Sequence, residues 1–321
     1  MKTRYLFLFI LPLILFSGCK KKNGQLPTVE TYAAEFVASK SATIACRISS
    51  NGGQSLISCG LYIGESASPD VSGQKFPMGN DTGTYVGHVT NLTPAKKYYL
   101  RAYASNAAGE SLGEELNFTT PPTITDVELN EYETVIIGTQ TWMAQNLSTT
   151  RFRNNDPVST TTPATLDITS ENSPVHVWFS NGDPAAAVTY GNLYTWYAIT
   201  DLRNICPTEW HIPTDEDWTT LENAVGGYLI AASTLKESGN DHWLAPYNTD
   251  ATDLSCFTAL PAGYRPASGS FSLLQNEAHF WSSSESESAK GWERMLSTSS
   301  YSVTRQGAAK NSGLSVRCIK D

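Results

Sequence analysis

The residue types that could carry chemistry in this 321-residue chain are six cysteines, five histidines and several groups of carboxylates. His176, His211, His242 and His279 are far apart in sequence, with no i,i+4 pair, and no two cysteines form a C-x2-C pair. Metal sites usually draw their ligands from such close spacings. We therefore predict that the chain has no metal site and needs no cofactor.

Cys256 is the candidate for a catalytic nucleophile among the cysteines. A reactive thiol needs a neighbouring base and a lowered pKa. His242 and His279 could supply a base, but nothing in the sequence places either of them beside Cys256. We therefore predict a buried structural thiol and no catalytic residue.

Two groups of acids have simpler explanations than catalysis. Thr214 is a good helix N-cap, and the three acids at 215–217 would fill the first helical turn, where carboxylates suit the helix dipole. Glu285 and Glu287 remain open between calcium ligands and an exposed acidic loop.

The formal charge of −9 is unevenly distributed. Residues 28–120 hold eight acids and six bases, a net of −2, whereas residues 121–321 hold 23 acids and 11 bases, a net of −12. Phosphate binding needs clustered Lys and Arg, so this balance excludes nucleic acid as a partner.

The N-terminus has the layout of an export signal. Two basic residues precede an apolar run at 5–16, which is too short to span a bilayer. The following Phe16-Ser17-Gly18-Cys19 resembles the lipobox of bacterial lipoproteins. The resemblance implies a signal peptide at 1–18, a lipid on Cys19 that holds the protein to a membrane, and a flexible tether at 19–27. The expected location is the outer membrane, on its periplasmic face or at the cell surface.

Residues 28–120 show short alternating segments separated by turn residues, which predicts an antiparallel β-sandwich. Residues 92–109 resemble one corner, strand and turn of a fibronectin type III domain, and Tyr98 falls at the tyrosine-corner position of that family. Cys46 and Cys59 fall on inward faces of successive strands. They are candidates for a bridge, and equally for two unpaired buried thiols.

A composition change marks the second domain. All eight tryptophans lie between Trp142 and Trp292, and the Pro-Pro pair at 121–122 precedes them. We therefore predict a linker at 121–131 and a second domain at 132–321.

Five blocks of the second domain, at 135–147, 206–221, 257–265, 279–285 and 313–321, resemble the Fibrobacter succinogenes major paralogous domain. The second block also resembles the helix start of formylglycine-generating enzymes, and through them the C-type-lectin-like fold. The resemblance implies an α+β fold and a disulfide between Cys206 and Cys318, which occupy paired positions of the family. It leaves Cys256 as a free, mostly buried thiol. It does not imply oxidase activity, because the C-x4-C pair of that enzyme is missing.

The aromatic residues suggest binding. Burial is expected for the five tryptophans in stretches that match the family, Trp142, Trp196, Trp210, Trp218 and Trp281. Trp243 and Trp292 instead fall in loop-like stretches. We therefore name Trp243, Trp292, Tyr264 and Arg265 as candidate ligand contacts. The resulting hypothesis is a non-catalytic lectin-like module that binds a glycan or an envelope protein and is held out by the sandwich as a spacer. The alternatives are a structural or assembly role without a small ligand, and an enzyme on an oxidase-like scaffold.

Overall fold

A computed structural model describes residues 24–70, 73–245 and 250–321. The predicted signal peptide at 1–18, the lipidation site Cys19 and the tether up to residue 23 lie outside the described residues. Within the described stretches, no helix has the length and apolar character needed to span a bilayer.

The first part of the chain is a β-sandwich of two antiparallel sheets. Its strands are β1 (Thr28–Thr31), β2 (Phe36–Ala38), β3 (Ala42–Ser50), β4 (Ser58–Gly64), β5 (Gln74–Gly79), β6 (Gly83–Val89), β7 (Lys97–Asn106) and β8 (Gly109–Thr119). One sheet has the order β5-β4-β7-β8, and the other joins β1 and β6 to β3. The predicted sandwich at 28–120 is therefore present.

The core of this sandwich follows from alternation along the strands. Ile44, Cys46 and Ile48 of β3 are buried, as the two-residue period predicts. Tyr98 closes the tyrosine corner, because its phenolic oxygen accepts a hydrogen bond from the backbone N–H of Thr93 at 2.9 Å. The predicted corner is confirmed.

The candidate bridge between Cys46 and Cys59 is absent, and both thiols are free and buried. Cys46 lies on β3 and Cys59 on β4, so the two residues belong to opposite sheets. Facing sheets stack about 10 Å apart, whereas a disulfide needs Cα atoms within about 7 Å. Cys59 packs instead against Ile48, Leu56 and Ala104. Of the two alternatives, the structure therefore has two unpaired buried thiols, Cys46 and Cys59.

The second part of the chain is built from short strands and short helices. Its strands are β9 (Ile124–Thr125), β10 (Glu131–Tyr132), β11 (Thr134–Ile137), β12 (Gln140–Met143), β13 (Val177–Phe179), β14 (Asn192–Tyr194), β15 (Trp210–His211), β16 (Glu277–Glu287), β17 (Lys290–Ser297), β18 (Thr304–Ala309) and β19 (Ile319–Lys320). Its helices are α1 (Pro184–Tyr190), α2 (Trp196–Ile199), α3 (Asp215–Ala224) and α4 (Ala231–Leu235), with a 3₁₀ turn at Ser180–Gly182. Over the described residues, the protein is mostly β, with few helices.

Helix α3 begins where the sequence predicts. The Thr214 side chain accepts from the backbone N–H of Asp217, and the Asp217 carboxylate accepts from the backbone N–H of Thr214, which makes a capping box. Trp218, Leu221 and Val225 turn into the main hydrophobic core. The three acids at 215–217 are thus the first turn of a helix, as predicted.

The predicted linker at 121–131 is ordered and tied to its surroundings. The hydroxyls of Ser39 and Thr134 both donate to the carbonyl of Pro122, at 3.1 and 2.8 Å. Strand β2 pairs with β3 on one side and with β11 on the other. One sheet therefore continues from the sandwich into the second domain, in the order β1-β3-β2-β11-β12-β19-β15.

Cys206 and Cys318 form a disulfide with a Cα–Cα distance of 5.9 Å. Cys206 precedes β15 and Cys318 immediately precedes β19, and β15 and β19 pair with each other. The bond therefore joins neighbouring segments of the sheet that are 112 residues apart in sequence.

Candidate functional site

A large cavity, with a volume of about 420 Å³, lies on one face of the β16-β17-β18 sheet. Glu277 and His279 of β16 line it beside Glu293 of β17 and Gln306 of β18. Side chains two residues apart on a strand share a face, and the strand register brings these three strands together there. A smaller cavity, of about 100 Å³ beside Trp178, contains no titratable lining residue.

The floor of the large cavity is a buried histidine held between two carboxylates. His279 Nε2 lies 2.8 Å from Glu277 Oε2, and His279 Nδ1 lies 2.9 Å from Glu293 Oε2. The side chains of His279 and Glu293 are only 6% and 5% exposed. Gln306 Nε2 donates to the second oxygen of Glu293 at 2.7 Å. Both ring nitrogens of His279 and both oxygens of Glu293 are therefore held by hydrogen bonds, whereas the second oxygen of Glu277 is not.

The imidazole of His279 is protonated at neutral pH. Burial opposes its charge, but the hydrogen bonds and charges of Glu277 and Glu293 outweigh burial and raise the pKa of His279 to about 9. Tyr264 packs against the imidazole with 4.8 Å between ring centroids and forms part of the cavity wall. The site is thus a rigid acidic floor beside one aromatic ring.

The charge on His279 predicts a pH dependence of stability. Because the pKa of His279 is raised from about 6.5 to about 9, its contribution is complete below about pH 6.5 and is lost as the pH rises through 9. The free energy of unfolding of the native chain should therefore fall by about 3 kcal/mol relative to that of His279→Gln over this range. Urea unfolding of both proteins at several pH values measures the difference. If the difference in unfolding free energy between the two proteins stays constant with pH, the raised pKa of His279 is wrong.

Two of the predicted ligand contacts are buried structural residues, which corrects the prediction. Trp243 is only 1% exposed, and its indole N–H donates to the carbonyl of Ala259 at 3.0 Å. Arg265 is 0% exposed, donates through Nε to the carbonyl of Ala164, and stacks on Trp178 at 4.0 Å from the ring centroid. The stretch around Trp243 looked like a loop because it lacks periodicity, but it packs inward and its indole is part of the core.

The other two candidates lie on opposite faces of one sheet. Tyr264 lines the large cavity. Trp292 of β17 is on the far face, where the Arg305 guanidinium covers its ring at 3.3 Å from the centroid. The structure therefore brings only Tyr264 to the cavity.

Sequence reasoning missed Glu277, His279 and Glu293. The alternation of Glu277 and His279 two residues apart on a strand was a usable signal, because it places an acid and an imidazole on one face. The contact with Glu293 depends on the register of β17, which the sequence does not specify.

Cys256 is 2% exposed and unpaired, as predicted. Its neighbour is neither His242 nor His279 but His88 of the sandwich, whose Nδ1 lies 3.7 Å from the Cys256 sulfur. Burial raises the pKa of Cys256 to about 11, and burial lowers the pKa of His88. The pair is therefore a neutral thiol beside a neutral imidazole, which is the opposite of an activated nucleophile.

Across the described stretches, no group of three or more His, Cys, Asp or Glu is arranged to hold a metal ion.

These features define a mostly β protein in which a sandwich similar to fibronectin type III domains is continuous with a disulfide-bonded second domain. Residues 135–320, more than half of the chain, match the family described as the Fibrobacter succinogenes major domain. The chain belongs to this family.

Three of the solved structures similar to this chain each cover about a third of it. The sensor domain of the anti-sigma factor RsgI4 from Pseudobacteroides cellulosolvens is 13% identical, with 30% of this chain and 97% of that chain covered and a TM-score of 0.25. A fibronectin type III domain of human fibronectin type III domain containing protein 3 is 21% identical, with 31% and 87% covered and a TM-score of 0.22. Another human fibronectin type III domain is 21% identical, with 35% and 90% covered and a TM-score of 0.23. No curated protein matches the chain.

Proposed function

We propose that this protein is a non-catalytic lipoprotein of the bacterial outer membrane whose second domain binds a glycan in the cavity above His279. The observation that carries the proposal is the cavity itself, in which one aromatic ring stands beside convergent polar groups. Ligand sites in proteins are typically concave, 300–1,000 Å³ in volume, and combine apolar walls with a few fixed polar groups. At about 420 Å³ the cavity lies in that range.

The chemistry of the floor favours binding over catalysis. A histidine that acts as a general base needs a free lone pair on a neutral ring. Both ring nitrogens of His279 bond to carboxylates, and its raised pKa keeps the ring charged. His279 therefore holds Glu277 and Glu293 in place, and the second oxygen of Glu277 stays available as a hydrogen-bond acceptor.

The remaining elements of the proposal come from the sequence. The lipobox-like Phe16 to Cys19 supports lipid attachment, and the resemblance of residues 206–221 to lectin-like proteins supports a C-type-lectin-like fold for the second domain. The sheet that runs from the sandwich into the second domain supports a spacer role for the sandwich. Such a spacer would fix both the distance of the cavity from the membrane and its orientation relative to the sandwich.

A glycan array tests the proposal. The chain from residue 24 onward contains every described residue and is applied to the array after expression under oxidising conditions. Saturable binding to one sugar class should be lost in Tyr264→Ala, because this substitution removes the ring of the cavity wall. The matched control is Trp292→Ala, which removes an aromatic ring from the opposite face of the same sheet and should leave binding intact. Equal losses in both variants, or no binding by the folded protein, would contradict the proposal.

An assembly role is the second candidate, and an exposed apolar patch favours it. Tyr228, Leu229 and Ile230 are exposed beside Tyr301, whose carbonyl accepts a hydrogen bond from the backbone of Ala232. Exposed apolar patches often mark protein contacts. If the array shows no glycan binding, loss of an envelope partner on Leu229→Ser would support this role.

A further inference from the structure

We propose that the cavity recognises a primary amine on a sugar, that is, an amino sugar without its acetyl group, and that Glu277 is the counter-ion. This inference rests on the proposed glycan-binding function and names the ligand class of that site.

The charges around the cavity favour a cation. The charged groups of its lining are two carboxylates, Glu277 and Glu293, and one imidazolium, His279, so the floor carries a net charge of −1. None of the eleven residues that line the cavity is Lys or Arg. An anionic sugar would meet an uncompensated carboxylate there, whereas an ammonium group would complete the charge balance.

Hydrogen-bond accounting identifies the atom that would hold the amine. Both oxygens of Glu293 are occupied, one by His279 and the other by Gln306. Glu277 uses Oε2 for His279, and its Oε1 has no hydrogen-bond partner among the described residues. The Glu277 side chain is 23% exposed, so this free oxygen is reachable from the cavity. His279 holds the carboxylate in place, which reduces the entropy that a ligand would lose in ordering it.

The walls suit the body of a sugar. Tyr264 offers an aromatic ring, while Leu273, Met295 and Leu314 add apolar surface. Ser312 and the exposed amide of Gln306 stand at the same cavity and can bond hydroxyl groups. A ligand whose amine lies near Glu277 would therefore fit best if the amine belongs to a sugar ring, because such a ring has apolar faces and hydroxyl groups at its edges.

Calorimetry on the full chain in mild detergent tests the inference with two probes, a glucosamine tetrasaccharide and its N-acetylated counterpart, at about pH 6, where an amine is protonated. We expect the free amine to bind and the acetylated sugar to bind at least about 10-fold more weakly. Glu277→Gln should weaken amine binding by about 10- to 100-fold, the range of a charge-assisted hydrogen bond. Glu287→Gln removes the same charge from an exposed end of β16 and should change the dissociation constant less than about twofold.

A second variant covers the case in which Glu277→Gln fails to fold. Ala308→Lys places a competing ammonium at the cavity, on the face of β18 that carries Gln306, and we expect it to weaken amine binding while the protein stays folded. Equal effects of Glu277→Gln and Glu287→Gln, or equal affinity for both sugars, would overturn the amine assignment and leave glycan binding standing. No binding of either probe, together with no hit on the glycan array, would instead mean that the proposed function fails.

Discussion

Replacing both Cys206 and Cys318 with alanine is expected to lower the free energy of unfolding of the second domain by up to about 5 kcal/mol. The disulfide joins residues 112 positions apart, and closing so long a loop removes much of the conformational entropy of the unfolded chain. Guanidinium unfolding followed by tryptophan fluorescence measures the loss, because all eight tryptophans lie at or beyond Trp142 and so report on this domain.

Reduction of the native protein provides the matched comparison. A reductant should lower the stability of the native chain to that of the double variant and should have no effect on the double variant itself. The remaining cysteines of the described stretches, Cys46, Cys59 and Cys256, are free and buried, so they should not respond. A double variant within about 1 kcal/mol of the native chain would contradict this role for the disulfide.

Replacing Arg294 with methionine is expected to cost about 3–5 kcal/mol of unfolding free energy. The Arg294 side chain is 0% exposed, with Nε at 2.5 Å from Glu222 and Nη1 at 2.7 Å from Asp215. Its removal leaves Glu222, which is 10% exposed, as a buried charge without its partner. The cost therefore comes from the stranded carboxylate more than from the lost attraction. The change in denaturation midpoint measures it.

Two further variants separate this explanation from simple loss of packing. Adding Glu222→Leu to Arg294→Met removes the stranded charge and should recover much of the lost stability, because Asp215 keeps its bond to Arg305. Arg305→Met removes a guanidinium that is 44% exposed and should cost less than about 1 kcal/mol. If the double variant is no more stable than Arg294→Met, the buried-charge explanation is wrong.

Much of the fold could be read from local patterns. The alternation of Ile44, Cys46 and Ile48 is decided by neighbours two residues apart, and Thr214 with Asp217 caps α3 through bonds within one turn. Tyr98 forms its corner with a backbone group five residues away. Such features need no knowledge of distant residues, and each of them is present in the structure.

The linker and the ligand contacts required more than local information. The Pro-Pro pair at 121–122 correctly indicates an interruption of regular structure, but the pairing of β2 with β11 joins segments about a hundred residues apart. Trp243 lies in a stretch with no periodicity, and nothing nearby in sequence tells whether such a stretch packs inward. Burial of an irregular segment is decided by the surfaces that it meets.

The sequence by itself determined the sandwich, the capped helix, the family of the second domain and its excess of acidic residues, because each depends on residue types and short spacings. Only the tertiary structure decided that His279 lies between Glu277 and Glu293, and that Tyr264 faces the resulting cavity while Trp292 faces away. The physical reason is register. Side chains alternate between the two faces of a strand, so a shift of one residue between β16 and β17 would separate His279 from Glu293 and remove the site.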